Sequence, residues 1–315
     1  MHTATESSFL RRVATAPISW GVCEVPGWGH QLAPDRVLAE MHELGFGATE
    51  LGSAGWLPER TDELQPLLAE HDLELLAAFI PLVLHDPAQA DTARAEAVEA
   101  ARLLRDNGAR YFNTAPVTSA DWAPRRPYRD AEWDHLVAMI AEVEEICAEH
   151  GLVQVVHEHV GCVIETADEI DRLLSMSPVS FVLDTGHMAV GGCDPLRFAI
   201  DHADRVGLVH LKDTRHGVAA RLNAGELTLM EAVQAGLFPA LGEGDLPIDD
   251  IVRQLETAGF TGHYVIEQDC AITDGPPGPG EGPVRDVAIS VAYLRRVDAA
   301  LRGTDASDPA SASHR

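Results

Sequence analysis

The stretch "LVQVVHEHVG" (152–161) opens as an apolar run and closes on three consecutive ionisable side chains, His157, Glu158 and His159. Along a β-strand successive side chains alternate between two faces, so Val155, His157 and His159 share one face and Val156 and Glu158 the other. A run that is apolar on both faces belongs to a parallel sheet covered by helices. Ionisable groups gathered at its C-terminal end belong at the mouth of a parallel barrel, the face where such barrels carry their chemistry. If Val155 fills the barrel, both histidines reach the mouth and Glu158 points toward the helices.

The rest of the chain repeats this rhythm. Short apolar runs alternate with longer amphipathic segments, the pattern of repeated βα units. The expected strands are "ISWGV" (18–22), "GATEL" (47–51), "ELLAAFIPL" (74–82), "ARYFNT" (109–114), "VQVVHEH" (153–159), "VSFVLDT" (179–185), "VGLVHLK" (206–212) and "HYVIEQD" (263–269). Gly45, Gly108, Gly151 and Gly259 each follow the last apolar position of a helical segment, as C-capping glycines do. The second unit is the weakest, because Pro58 and Pro66 break its pattern. A length of 315 residues suits one (β/α)8 barrel, which takes ~250 residues plus insertions. The reading is therefore α/β, a single (β/α)8 TIM barrel over residues 16–302. An N-terminal extension (1–15) precedes it, and a tail with the composition of a disordered segment follows (303–315). Two long connections, 215–248 and 270–283, follow the seventh and eighth strands and mark that side as the functional face.

Four consecutive strands carry a metal-competent residue in the phase of an apolar one: His157 with Val155, Asp184 with Val182, His210 with Leu208, and Glu267 with Val265. Two imidazoles and two carboxylates suit Mn, Co, Fe or Zn better than Ca. Glu158 is the alternative ligand on the fifth strand if a bulge turns it inward. Lys212 shares the phase of His210, two residues further toward the mouth. It is placed to neutralise an enolate or to protonate a leaving hydroxyl. Trp20, Glu24 and Glu50 are candidate substrate contacts at the ends of the first two strands. For Trp20 the competing reading is packing under the barrel mouth, and for Glu50 capping of the next segment.

Fifty acidic against 23 basic residues give a formal charge of -27, a field that repels phosphate backbones and disfavours a nucleic-acid partner. Five scattered cysteines without C-x-x-C spacing indicate neither a disulfide framework nor a zinc ribbon, and a cytoplasmic location is expected. No run approaches the ~18 apolar residues of a membrane span, and the N-terminal residues lack a secretory core.

The motifs H-x-H-x-G (157–161), D-T-G-H (184–187), H-x-K-D (210–213) and E-Q-D (267–269), with "IETADEIDRLL" and "LGEGDLPI" between them, occur in an order that resembles the inosose (2-keto-myo-inositol) dehydratases. These belong to the xylose-isomerase-like, or sugar phosphate isomerase/epimerase, barrel superfamily, together with sugar epimerases, dehydroshikimate dehydratases and endonuclease IV. The resemblance implies that Asp184, His210 and Glu267 bind a divalent metal, with position 157 completing the set. Mn or Co is the leading cation, and Zn, Fe or Mg are alternatives. Most epimerases and isomerases of the superfamily carry Glu at the position aligned with His157, so histidine there disfavours a two-glutamate epimerisation and favours the dehydratase branch. His159 resembles the base of dehydroshikimate dehydratases, and His187 a substrate-contacting histidine. The implied activity is dehydration of a cyclic polyhydroxy ketone through a metal-stabilised enediolate, with Glu267 a ligand that also shuttles a proton. A sugar or inosose isomerase or epimerase is the alternative, and an AP endonuclease is disfavoured by the charge. The expected partner is a small polyol or sugar ketone, and a homo-oligomer is compatible with this reading.

Overall fold

The computed structural model describes residues 8–23 and 25–305. Eight parallel strands close into a barrel in chain order: β1 Val13–Thr15, β2 Ala48–Glu50, β3 Glu74–Leu82, β4 Tyr111–Pro116, β5 Val153–His157, β6 Ser180–Asp184, β7 Val206–Leu211 and β8 His263–Ile266. The helices are α1 Pro34–Leu44, α2 Thr61–Glu70, α3 Ala90–Asp106, α4 Asp130–Glu149, α5 Ala167–Met176, α6 Thr185–Val190, α7 Pro195–Asp201, α8 His216–Asn223, α9 Leu229–Gln234, α10 Ile248–Thr257 and α11 Pro283–Asp305.

Period-two alternation holds at residue level. Val155, Val182, Leu208 and Val265 pack together inside the barrel, whereas Val156, Leu183, Val209 and Ile266 join the larger core between strands and helices. Each capping glycine expected from the sequence has positive φ. Gly45, at 90°, ends α1 and returns its N–H to the last turn.

The first strand is a correction. Val13–Thr15, not 18–22, pairs with β8 through Val13↔Tyr264, Ala14↔Val265 and Thr15↔Ile266. Pro17 lacks an N–H and fixes φ, so the chain leaves the sheet there and turns through a 3-10 segment, Pro17–Trp20, closed by Gly21 at φ 79°. The barrel wall thus begins inside the stretch read as an N-terminal extension, and α11 runs to Asp305, inside the stretch read as a tail. Phe9–Arg12, just before β1, form a 3-10 turn, and residues 1–7 and 306–315 lie outside the described residues. The short helices α6, α8 and α9 were not expected; the last two occupy the long connection after β7. Pro66 is accommodated within α2.

Candidate metal centre and catalytic pocket

The inward phase sets one polar side chain at the top of each of four consecutive strands. His157 ends β5, Asp184 ends β6, His210 stands near the end of β7, and Glu267 directly follows β8. All four are buried. His157 Nε2 lies 3.5 Å and His210 Nδ1 3.6 Å from Asp184 Oδ2, and His210 Nδ1 lies 2.9 Å from Glu267 Oε2.

Buried polar atoms normally find hydrogen-bond partners. Among the described residues, both ring nitrogens of His157, Asp184 Oδ2 and His210 Nδ1 have no partner of acceptable geometry. His157, Asp184 and His210 offer ligand atoms that all lie within 4.8 Å of one another. Close lone-pair donors that fail to bond each other are what a cation site requires, so the residues fit a divalent metal. Glu267 stands beside this trio; it forms comparable groups with Asp184 and His187 and with Glu50 and His210. Its other oxygen, Oε1, is drawn to Lys212 Nζ at 2.7 Å.

The electrostatics agree with that geometry. Burial keeps His157 neutral by lowering its pKa. Burial also works against the charged form of His210, but Glu267, Glu50 and Asp184 outweigh it and raise the pKa well above that of free imidazole. For Asp184 and Glu267 burial favours the acid; the surrounding Lys212 and histidines prevail and hold both well below the usual carboxylate range. The pocket is a cluster of carboxylates asking for positive charge.

Lys212 supplies some of it. Its ammonium is buried among Glu267, Asp269 Oδ1 at 2.8 Å, His187 Nε2 at 3.0 Å and Asp184 Oδ2 at 3.4 Å. The D-T-G-H segment is shaped around this lysine. Thr185 Oγ1 donates to the Lys212 carbonyl at 2.8 Å and lies 2.9 Å from the Lys212 N–H, which donates to it. A Cβ on Gly186 would come within 2.7 Å of the Lys212 stem. The next residue of H-x-K-D is structural: Asp213 is buried and accepts N–H bonds from Thr214, Gly242, Gly244 and Leu246. It thereby pins the "LGEGDLPI" turn, and Gly244 has no room for a side chain against it.

His159 lies just beyond β5, its ring 3.7 Å from that of His187 and 5.3 Å from that of His157. His159 Nδ1 is 2.7 Å from the Val160 carbonyl, which can only accept, so the ring proton sits on Nδ1 and Nε2 keeps its lone pair. Burial, with His157 and Lys212 nearby, lowers its pKa to about 3, and the ring is neutral. Burial, followed by His159 and Lys212, likewise depresses His187.

Two candidate substrate contacts are corrected, and the alternative ligand on the fifth strand is set aside. Trp20 is fully buried and gives its indole N–H to Glu40 Oε2 at 2.9 Å, beneath a loop whose Pro277 and Gly278 carbonyls Arg36 holds; it packs and does not face substrate. Glu50 is buried against His210 Nε2 at 3.0 Å, not open to a ligand. Glu158 accepts the Asp184 backbone N–H at 2.9 Å, and burial raises its pKa well above normal, so it braces the end of β6 instead of joining the trio. Glu24 lies outside the described residues.

Four pocket residues escaped the sequence reading. Asp269 holds Lys212, and Phe238 covers the ammonium with its ring centroid 5.0 Å away. Phe79 packs 5.6 Å from His159 and stacks at 6.3 Å on Trp122, a non-glycine residue at φ 56°. Asp269 alone left a trace, its phase with Glu267; nothing in sequence spacing links the aromatics to the pocket.

The chain matches the family model described as xylose isomerase-like TIM barrel over residues 38–296. An inosose dehydratase of Geobacillus kaustophilus (strain HTA426) is 34% identical over 275 residues, covering 83% of this chain and 89% of that protein. The rhizopine catabolism protein MocC of Rhizobium meliloti is 31% identical over 265 residues, 81% of each chain. The solved structure of the IOLI protein with a binding zinc atom has a TM-score of 0.68 at 15% identity, over 92% of this chain and 99% of that one, a likeness of fold. The chain belongs to the xylose isomerase-like TIM-barrel family and within it is similar to the inosose dehydratases.

Proposed function

We propose that this protein is a divalent-metal-dependent hydro-lyase that removes water from an inosose or a closely related cyclic polyhydroxy ketone. The relatives named inosose dehydratase support the reaction class. The observation that carries it to these residues is the neutral His159, with its Nε2 lone pair free, beside a buried ammonium at Lys212. His157, Asp184, His210 and Glu267 would hold the metal, Mn or Co ahead of Zn, Fe or Mg for two imidazoles with two carboxylates. When bound, a divalent ion polarises the ketone and its neighbouring hydroxyl and so acidifies the α-proton.

The chain's own groups then divide the proton traffic. His159 Nε2 takes the α-proton, because its Nδ1 is committed to Val160. Lys212 balances the negative charge that develops on the substrate oxygen, and with His187 helps protonate the departing hydroxyl. Glu267 Oε1 accepts from the Lys212 ammonium 2.7 Å away, so it is placed to relay a proton back to Lys212 once that group has given one to the departing hydroxyl. The epimerase alternative needs a second free glutamate. Among the described residues Glu158 is engaged with the Asp184 amide and Glu50 with His210. The charge of -27 supports a small neutral substrate over nucleic acid, and the scattered cysteines support a cytoplasmic location. No described helix is long and apolar enough to cross a membrane.

The test is incubation of the Mn- or Co-loaded protein with a panel of inososes and mass analysis of the products. Loss of one water supports the reading. A rearranged product of unchanged mass makes the protein an isomerase, and no turnover of any cyclic polyol ketone overturns the proposal.

A further inference from the structure

We propose that Asp269 is a positioning residue that acts through Lys212 and fixes the tautomer of His187. The kinetic part of this inference rests on the hydro-lyase reading; the tautomer part does not. An ammonium has three N–H bonds to give. The nearest partners of Lys212 Nζ are Glu267 Oε1 at 2.7 Å, Asp269 Oδ1 at 2.8 Å and His187 Nε2 at 3.0 Å, with Asp184 Oδ2 further off at 3.4 Å. Glu267 and Asp184 belong to the candidate metal set, so their charge would be shared with a cation bound there. Asp269 is the one carboxylate on this ammonium, among the described residues, that lies outside the set.

The consequence passes to His187. An ammonium only donates, so His187 Nε2 must accept and the ring proton must sit on Nδ1. That Nδ1 is buried and has no hydrogen-bond partner among the described residues, which leaves it as a donor for a bound molecule. Asp269 does not hold the ring itself, because its Oδ2 is 3.7 Å from His187 Nε2, beyond hydrogen-bond length. Its grip on His187 is exerted through Lys212. The lysine has little freedom to compensate: Thr185 clamps its backbone, Gly186 bounds its stem and Phe238 covers its head. Asp269 sits two residues beyond Glu267, so the pair grips the ammonium from two levels of one chain segment.

The variants are Asp269→Asn, Lys212→Met and the charge-balanced double variant, compared with wild type in the full chain. Long-range proton–nitrogen spectra of zinc-loaded, histidine-labelled protein report the His187 tautomer without any turnover. Wild type should show Nδ1–H alone, and Asp269→Asn and Lys212→Met should each show a mixture. In the Mn-loaded protein acting on an inosose, Asp269→Asn should lower kcat about 10- to 100-fold with bound metal unchanged. The same substitution should cost less than about twofold in the Lys212→Met background, since its route of action is gone. An unaltered His187 tautomer in Asp269→Asn, an equal loss of kcat in both backgrounds, or loss of metal would overturn the inference. Failure of wild type to dehydrate any inosose refutes the functional reading, and the tautomer spectra still decide the role of Asp269.

Discussion

Glu50 Oε1 lies 3.0 Å from His210 Nε2, joining the end of β2 to β7 between residues 160 positions apart. A carboxylate that accepts at Nε2 puts the proton there and frees Nδ1 toward Asp184 and Glu267. Partners of this kind typically govern metal affinity by ~10- to 100-fold. Glu50→Ala should therefore weaken metal binding by about that factor in a chelator competition, with Glu50→Gln milder because its carbonyl still accepts. Equal affinity in wild type and Glu50→Ala would sink this assignment.

Bound metal itself should depend on the four residues of the inward layer. Asp184→Ala, Glu267→Ala and His157→Ala should each lose metal while the circular dichroism of the barrel persists. Glu158→Gln should retain it, because that side chain serves the Asp184 amide. Elemental analysis decides. Full occupancy in Asp184→Ala, or a greater loss in Glu158→Gln than in His157→Ala, would count against the set.

His159→Ala should keep metal and substrate binding but lose ~100- to 10,000-fold in rate, the usual cost of removing a general acid or base. Solvent deuterium exchange at the substrate α-carbon locates the lost step. If the variant exchanges that proton as fast as wild type yet forms no product, His159 protonates the leaving group instead of abstracting the proton.

Gly186→Ala sets two effects against each other. Alanine in a helix is worth ~1 kcal/mol over glycine. Here its methyl would lie 2.7 Å from Lys212 Cγ, and overpacking of this kind costs ~1 to 3 kcal/mol. The clash should win, giving a lower Tm and a displaced ammonium with reduced kcat. A variant as stable and active as wild type would show that the cradle has slack.

Stability should fall as the solution is acidified from about pH 6.5. His157, His159 and His187 all have folded pKa values below that of free imidazole, His159 at about 3, and burial is the largest cause for each. The unfolded chain then binds more protons below pH 6.5, so the stability present above that pH is lost progressively as pH falls toward 3. Denaturant melts at pH 7 and pH 5 test this, and His159→Gln should flatten the dependence. A steeper fall in that variant would contradict the assignment.

The local pattern of the chain determined much of this protein. Alternation in "VQVVHEH" and its three successors placed Val155, Val182, Leu208 and Val265 inside the barrel and His157, Asp184, His210 and Glu267 above them, because strand geometry gives every second side chain the same direction. Capping glycines fixed the ends of four helices for an equally local reason. Only the tertiary structure decided which neighbours those groups meet. Glu50 reaches His210, Asp269 reaches Lys212 and Trp20 turns down to Glu40 through contacts whose partners depend on barrel closure and loop path. The first strand was misplaced because Pro17 and barrel closure, not apolarity, decide where pairing with β8 ends. Direction along a strand is a property of adjacent residues; the partner met in that direction is a property of the closed barrel.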